Sequence, residues 1–214
     1  MNRRLVKIDS MLLEQHAYLD ESDHCYYFGE YTPGKGAQFS ETNQIIMNIK
    51  KSVSRKGKAD YRYKDIDIIR VGRMMSEQGF NLDEITFVPI PPSKAKNDSL
   101  YDDRLIRIFN HFNEFSKGEV DYRELVIQTS STQPSHESSE RLRLHDLMNI
   151  YQIDESLCED VAPSIIIFDD VVTAGAHYKA MKNVLSRRFP DSTIFGLFIA
   201  RTARPDPTEV FDIL

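Results

Sequence analysis

Short apolar runs alternate with amphipathic stretches along residues 81–214 of the chain. Uninterrupted apolar runs predict strands that are buried on both faces, and apolar positions spaced three and four apart predict helices between them. The predicted strands are residues 85–90, 124–128, 165–168 and 193–200, and the predicted helices are residues 105–115, 138–148 and 175–188. This alternation indicates an α/β fold, with a parallel sheet that helices cover on both faces.

The first eighty residues show a different order of elements. Residues 24–32 are aromatic and β-prone and predict one strand. Ser40 is placed to cap a helix, and a second helix is predicted over residues 63–78. The residues of that second helix expected to face inward are Ile66, Ile69 and Met74. We therefore expect an N-terminal α+β appendage, or hood, at residues 1–80 and a core at residues 81–214.

Composition and charge narrow the classes of function. The chain has 214 residues, two cysteines and a formal net charge of -6. The acidic balance disfavours a nucleic-acid partner, and two cysteines without a CxxC pair exclude a cysteine zinc cluster and are typical of a reducing compartment. The start lacks the apolar stretch of a signal peptide, and no run is long enough to cross a bilayer. We expect a cytoplasmic protein without a membrane partner.

The string SIIIFDDVVTAGAH, residues 164–177, joins an apolar predicted strand to polar and small residues. Asp169 and Asp170 follow the strand, where open parallel sheets bind ligands. Ionised carboxylates accept hydrogen bonds and suit hydroxyl groups or a cation, whereas the small residues and the helix start behind them expose N–H groups that suit a phosphate. The pattern predicts a site for a sugar phosphate such as ribose 5-phosphate. The alternative is a solvated strand end whose aspartate caps the next helix.

This string resembles the phosphoribosyl pyrophosphate (PRPP) motif of type I phosphoribosyltransferases. The resemblance implies the Rossmann-like parallel sheet of that family, and it implies that Asp169 and Asp170 are catalytic residues that hold the ribose hydroxyls and, through PRPP, Mg²⁺. The 5-phosphate loop that it implies consists of Thr173, Ala174, Gly175, Ala176 and His177. His177 departs from the family, which usually has Thr or Ser there. Thr173 stands where purine-salvage members carry an acid, which argues against a hypoxanthine or guanine enzyme.

Two further segments resemble parts of the same family. VPIPPSK, residues 88–94, follows the first core strand, as the pyrophosphate loop does in these enzymes. Its expected pyrophosphate ligands are Pro92, Ser93 and Lys94, and Lys94 is also expected to assist catalysis by its charge. The alternative is a stiff strand exit with a solvated lysine.

QTSSTQPSHESSER, residues 128–141, has no large apolar residue and predicts a loop that closes over the substrate. The candidate substrate contacts in this loop are Ser131, His136 and Arg141. The alternative is a long surface loop without a role in binding.

The order of segments is also similar to that of proteins related to the competence protein ComF. The matching strings are CYYFGEY, IIMNIKK, VPIPP, TSSTQ and SERL, whereas the N-terminal zinc cysteines of many such proteins are absent. GEYTPGKG, residues 29–36, resembles a P-loop, but Gly36 replaces the hydroxyl residue that binds magnesium, so we do not expect an ATPase.

The resemblance implies a phosphoribosyltransferase that binds PRPP with Mg²⁺ as its cofactor. The enzyme would transfer ribose 5-phosphate to a nitrogen nucleophile, an unidentified base or amine, and release pyrophosphate. The alternative is a non-catalytic regulator or effector that binds PRPP at the same site. Members of the family often form homodimers, and the sequence leaves that state open.

Overall fold

The architecture was obtained from a computed structural model, which describes residues 4–128 and 144–203. The strands in these residues are β1 (Val6–Lys7), β2 (His24–Tyr31), β3 (Ile85–Pro89), β4 (Val126–Gln128), β5 (Tyr151–Ile153), β6 (Ser164–Val172) and β7 (Thr193–Thr202). The helices are α1 (Ser10–Leu13), α2 (Glu41–Ile49), α3 (Arg62–Ser76), α4 (Arg104–Phe115), α5 (Leu144–Ile150) and α6 (Ala176–Arg188). The six core elements predicted wholly within these residues, four strands and two helices, all occur at the expected places, give or take a few residues.

A mostly parallel sheet lies at the centre of the molecule, as the alternating pattern predicted. Its strand order is β1-β2-β7-β6-β3, with β2, β7, β6 and β3 parallel to one another and β1 antiparallel at one edge. The arrangement is compatible with a Rossmann-like fold. All four parallel strands therefore end at the same edge of the sheet, where ligand sites of open α/β sheets occur.

Helices cover both faces of the sheet because the side chains of each strand alternate between them. In β6, Ile166 and Phe168 belong to one apolar cluster, which α2, α3 and α4 complete. Ile165 and Ile167 belong to the other cluster, which includes residues of α5 and α6. The fully apolar run in β6 is thus buried on both sides, as its sequence predicted.

The first eighty residues contribute directly to this sheet. β2 pairs in parallel with β7, and β1 extends the sheet beyond β2. Ile46 of α2 and Phe87 of β3 belong to the same apolar cluster. The boundary between residues 80 and 81 stays a prediction about domain organisation, but residues on both sides of it share one sheet and one core.

β4 does not join the central sheet, although its sequence predicted a core strand. It pairs antiparallel with β5 in a separate two-stranded sheet. Residues 121–123, just before β4, lie beside β3 instead. Phe87 donates its N–H to the carbonyl of Asp121 (2.8 Å), and Arg123 donates its N–H to the carbonyl of Phe87 (2.9 Å). β4 alternates in burial, with Val126 buried and Ile127 37% exposed, so one of its faces remains open to solvent.

α3 buries a different face from the one expected. Ile66 and Ile69 are 53% and 40% exposed, so their predicted inward placement is wrong, whereas Met74 is buried as predicted. The inward face carries Ile68 and, one turn before it, the fully buried Lys64. A pattern of apolar positions alone could not identify this face, because the face includes a buried charged residue.

No helix in residues 4–128 or 144–203 has both the length and the apolar character needed to cross a membrane.

Gly72→Ala is expected to lower the free energy of unfolding. A Cβ at Gly72 would lie 2.7 Å from His111 Cβ and 2.9 Å from the Ile108 carbonyl oxygen, both on α4. Overpacking costs about 1–3 kcal/mol, and the better helix propensity of alanine offsets only about 1 kcal/mol. Because two of the close atoms belong to the α4 backbone, which cannot turn aside, we expect the upper end of this range, a net loss of about 2 kcal/mol in urea denaturation.

Gly118→Ala is the matched control, since its Cβ would meet only Leu82 Cδ1, at 3.6 Å. Its free energy of unfolding should stay within about 0.5 kcal/mol of wild type. If Gly72→Ala is as stable as this control, α3 and α4 do not approach each other this closely.

Candidate functional site

A cavity of about 360 Å³ opens at the carboxyl ends of β3 and β6. The acidic pair Asp169 and Asp170 lies in its wall, together with the proline-rich loop at residues 89–94 and with Thr173 and His177. The structure therefore brings together segments that the sequence singled out separately. Two unexpected side chains, Lys50 and Arg104, complete the lining near the aspartates.

Asp170 is 2% exposed and accepts hydrogen bonds from two cations. The ammonium of Lys50, directly after α2, lies 3.0 Å from Oδ1. Arg104, the first residue of α4, places Nη2 2.7 Å and Nε 2.9 Å from Oδ2. Burial alone would raise the pKa of Asp170, but the charges of Lys50 and Arg104 outweigh burial and hold that pKa well below its usual range.

The cationic network continues away from the cavity. Nη1 of Arg104 lies 2.9 Å from Oδ2 of Asp102, and Nζ of Lys64 lies 2.7 Å from the same oxygen. Lys64 is fully buried and also donates to the carbonyl of Lys51 at 2.8 Å. This explains why α3 buries a lysine. Its ammonium connects Asp102, just before α4, with Lys51, just after α2.

Asp169 has a different environment from its neighbour. No cation contacts its carboxylate among residues 4–128 and 144–203, and Oδ1 accepts the N–H of Asp170 at 2.8 Å. Burial, and then the charge of Asp170, raise the pKa of Asp169 to about 7. The two carboxylates face opposite sides of the strand end: Asp170 contacts the α2 and α4 segments, and the Asp169 charge acts on Tyr151 of β5.

The loop between β6 and α6 is fixed from behind by the N-terminal segment. His16 contacts the carbonyl of Thr173 through Nδ1, and the N–H of Tyr18 donates to the carbonyl of Ala174 at 2.9 Å. Gly175 has φ +87, and a Cβ there would lie 2.7 Å from Leu19 Cδ2, so glycine is required both by conformation and by space. The first turn of α6 then offers N–H groups that lack acceptors within the helix.

His177 lies in the first turn of α6 and lines the cavity. Its Nδ1 is 2.7 Å from the hydroxyl of Tyr151, which is 4% exposed. Burial lowers the pKa of His177 to about 4 and raises that of Tyr151, so the imidazole is neutral and the phenol protonated at neutral pH. The tyrosine hydroxyl can therefore donate to Nδ1, which leaves the ring proton on Nε2.

The expected pyrophosphate loop also lines the cavity. Pro92, Ser93 and Lys94 are partly buried there, and the carbonyl of Ser93 accepts a hydrogen bond from Gln128 Nε2 at 3.3 Å. Lys94 makes no ion pair with any other described residue, so its charge is available to an anion. Ser131, His136 and Arg141 lie outside the described residues, and their predicted contacts stay predictions.

The P-loop-like segment does not have the form of a phosphate loop. α2 begins only at Glu41, after Gly36, with Ser40 as its N-cap, as the sequence predicted. The side chain of the fully buried Asn43 donates to the carbonyls of Thr32 (3.0 Å) and Lys35 (3.1 Å). The centre of this turn is thus filled by an amide from the protein itself.

The fit of the cavity to Mg²⁺ depends on its carboxylates. No cluster of three or more histidine, cysteine, aspartate or glutamate side chains that could hold a metal ion occurs in the described part of the chain. Asp170 is already bound to two cations, and Asp169 stands alone. The two aspartates by themselves therefore do not supply the roughly six oxygen ligands of a magnesium site made by the protein alone.

The sequence did not reveal Lys50, Arg104 or Tyr151 as site residues. Lys50 lies in the IIMNIKK string that resembles ComF-related proteins, which gave no chemical role. Arg104 lies in a charged stretch, and Tyr151 follows a short helix, without any motif around either. Comparison of the chain with models of protein families gives no match, and a search of curated proteins gives no significant match.

Asp169→Asn is expected to change how stability depends on pH. Above about pH 4 the unfolded chain has lost the Asp169 proton, whereas the folded protein keeps it up to a pKa of about 7. The folded state binds more protons in this window, so the Asp169 contribution to stability falls as the pH rises. His177 has the opposite sign, because its pKa in the folded protein is lowered from 6.5 to about 4.

The difference between variant and wild type isolates the contribution of Asp169. The unfolding free energy of Asp169→Asn minus that of wild type should increase by about 1 kcal/mol or more between pH 4.5 and pH 7, since one pKa unit corresponds to about 1.4 kcal/mol. Urea denaturation at several pH values measures it, with the exposed Asp83→Asn as control. A difference that stays constant would show that Asp169 is ionised throughout this range.

Proposed function

We propose that the protein binds PRPP together with Mg²⁺ in this cavity and transfers ribose 5-phosphate to a nitrogen nucleophile, with release of pyrophosphate. The observation that carries the proposal is the meeting of the Asp169–Asp170 pair with two loops suited to anions around one cavity of about 360 Å³. A volume of this size lies within the range of small-molecule sites. PRPP has a matching order of groups: a phosphate, a diol and a diphosphate.

The acidic pair would bind the ribose diol. Asp169 has carboxylate oxygens that no cation occupies, and an ionised carboxylate accepts hydrogen bonds from hydroxyl groups. Asp170 would accept the second ribose hydroxyl. Its carboxylate becomes available when an incoming ligand takes its place in the ion pairs with Lys50 and Arg104. The raised pKa of Asp169 fits this role, because a bound hydroxyl donor compensates the charge that burial disfavours.

The two loops would bind the two ends of PRPP. The N–H groups at the start of α6, from Thr173 to His177, suit the 5-phosphate, because a helix N-terminus attracts negative charge. Lys94 and the backbone of Ser93 suit the diphosphate on the other side of the acidic pair. This arrangement places the bond between the anomeric carbon and the diphosphate between the two loops.

Transfer needs a leaving group whose negative charge is stabilised as the bond breaks. The cationic side chains near the acidic pair, including Lys94, would stabilise pyrophosphate, and the walls would hold the acceptor in line with the anomeric carbon. Mg²⁺ bound to the diphosphate would add a further positive charge at the same atoms. The identity of the base or amine stays open.

Pyrophosphate release tests the proposal directly. The purified protein is incubated with PRPP and Mg²⁺, with and without a pool of bases and amines. Release that depends on one member of the pool establishes a transferase and identifies the acceptor. PRPP binding without release under any condition points to the non-catalytic regulator, and the absence of PRPP binding contradicts both functions.

Asp169→Asn is expected to weaken PRPP binding by about tenfold or more, the scale of one hydrogen bond to a charged group. Calorimetric titration with PRPP and with ribose 5-phosphate should show similar losses, because both ligands carry the diol. Inorganic pyrophosphate lacks the diol, and its affinity should not fall. Asp83→Asn, outside the cavity, is the control. Unchanged PRPP affinity in a folded Asp169→Asn protein would contradict the assignment of the diol site.

A further inference from the structure

Two cations from distant parts of the chain converge on one buried carboxylate in the cavity wall. Lys50 lies 3.0 Å from Oδ1 of Asp170, and Arg104 lies 2.7 Å from Oδ2. The three side chains all line the cavity. A single aspartate needs only one cation to neutralise it, so the second cation has a charge that Asp170 does not balance.

The ion pairs continue beyond Asp170 to a second carboxylate and a third cation. The cations of this network are Lys50, Arg104 and Lys64, and its bridged carboxylates are Asp170 and Asp102. Three positive charges therefore share two negative charges. Lys94, on the loop that lines the same cavity, adds a further positive charge without an ion pair among the described residues. The cavity wall also carries Asp102, Asp103, Glu124 and Asp169. An anionic ligand would therefore bind through the N–H donors of these cations and not through a net positive charge.

Lys50 is free to bind such a ligand. Its side chain is 36% exposed, and within the described chain its ammonium makes one hydrogen bond, to Asp170. An ammonium has three N–H donors, so two remain for other acceptors. Arg104 is held more tightly, since it also donates to Asp102 at 2.9 Å.

The position of these cations selects the diphosphate over the 5-phosphate. Lys50 follows α2 and Arg104 begins α4, and both helices pack on one face of the sheet. The loop suited to the 5-phosphate leads into α6, which packs on the opposite face. Arg104 also begins the helix that follows the proline-rich loop along the chain, so it lies on the side of Lys94.

We propose that Lys50 and Arg104 are further diphosphate-binding residues, and that Asp170 occupies them until the diphosphate replaces it. This inference rests on the proposed function and adds an exchange of ion pairs within the same site. Diphosphate binding releases Asp170 from its cations, and the released carboxylate accepts a ribose hydroxyl. The residues before position 80 thus complete the site through Lys50.

Two single variants test the exchange because they should change pyrophosphate affinity in opposite directions. Lys50→Met removes a ligand and should weaken the binding of inorganic pyrophosphate by about tenfold or more. Asp170→Asn removes the competitor and should strengthen it severalfold, because one negative charge beside the anion is lost. The same Asp170→Asn protein should bind ribose 5-phosphate within about twofold of wild type, because this probe carries no diphosphate and Asp170 then stays on its cations.

Calorimetric titration with pyrophosphate and with ribose 5-phosphate measures these affinities, and circular dichroism confirms folding. Lys50→Met should leave ribose 5-phosphate affinity within about twofold, Lys50→Arg should restore part of the pyrophosphate affinity, and Lys56→Met, at an exposed lysine outside the cavity, should match wild type. A defect of folding would instead weaken both probes in both variants.

Two results would overturn the inference. One is a Lys50→Met protein that binds pyrophosphate as tightly as wild type, and the other is a folded Asp170→Asn protein that binds it no more tightly than wild type. If wild type binds PRPP in either case, the proposed function stands without the exchange. A wild-type protein that binds neither PRPP nor pyrophosphate would overturn both. If Asp170→Asn does not fold, the Lys50 variants decide.

Discussion

The ion pairs of Asp170 connect the parts of this molecule that form its cavity. A carboxylate that is 2% exposed is stable as an anion only with close partners, and here these are Lys50 and Arg104. The pairs fix the end of α2 and the start of α4 against the end of β6. These ion pairs therefore contribute both to the geometry of the cavity and to the stability of the fold.

The sequence predicted where the strands and helices lie better than it predicted what each of them packs against. The apolar run ending at Phe168 is buried on both faces, and such a pattern has few other solutions. β4 could not be placed in the same way, because its apolar residues are too few to distinguish a core strand from a half-exposed one. α3 was assigned the wrong face, because Lys64 is buried through its partner Asp102, which lies far along the chain.

Contacts between residues that are distant along the chain also limited which site residues could be predicted from the sequence. Asp169 and Asp170 are adjacent, and a sequence typical of a phosphate loop follows them directly, so a short stretch of sequence was enough to predict them. Lys50 and Arg104 are separated from Asp170 by more than a hundred and more than sixty residues respectively, as their hydrogen bonds show. Only the parallel order of the strands and the packing of α2 and α4 bring them together. Ion pairs of this kind depend on the tertiary fold and leave no periodic signal.

His177 shows how a departure from the resembled motif can keep the chemistry of the proposed site. A Thr or Ser at this place would offer one hydroxyl donor to a phosphate. Burial keeps the imidazole neutral, and the hydroxyl of Tyr151, 2.7 Å from Nδ1, favours the tautomer with its proton on Nε2. The ring then carries one N–H, at Nε2, and no positive charge. In the proposed site the electrostatic attraction for the 5-phosphate must therefore come from the helix terminus, whereas Lys50 and Arg104 across the cavity serve the diphosphate.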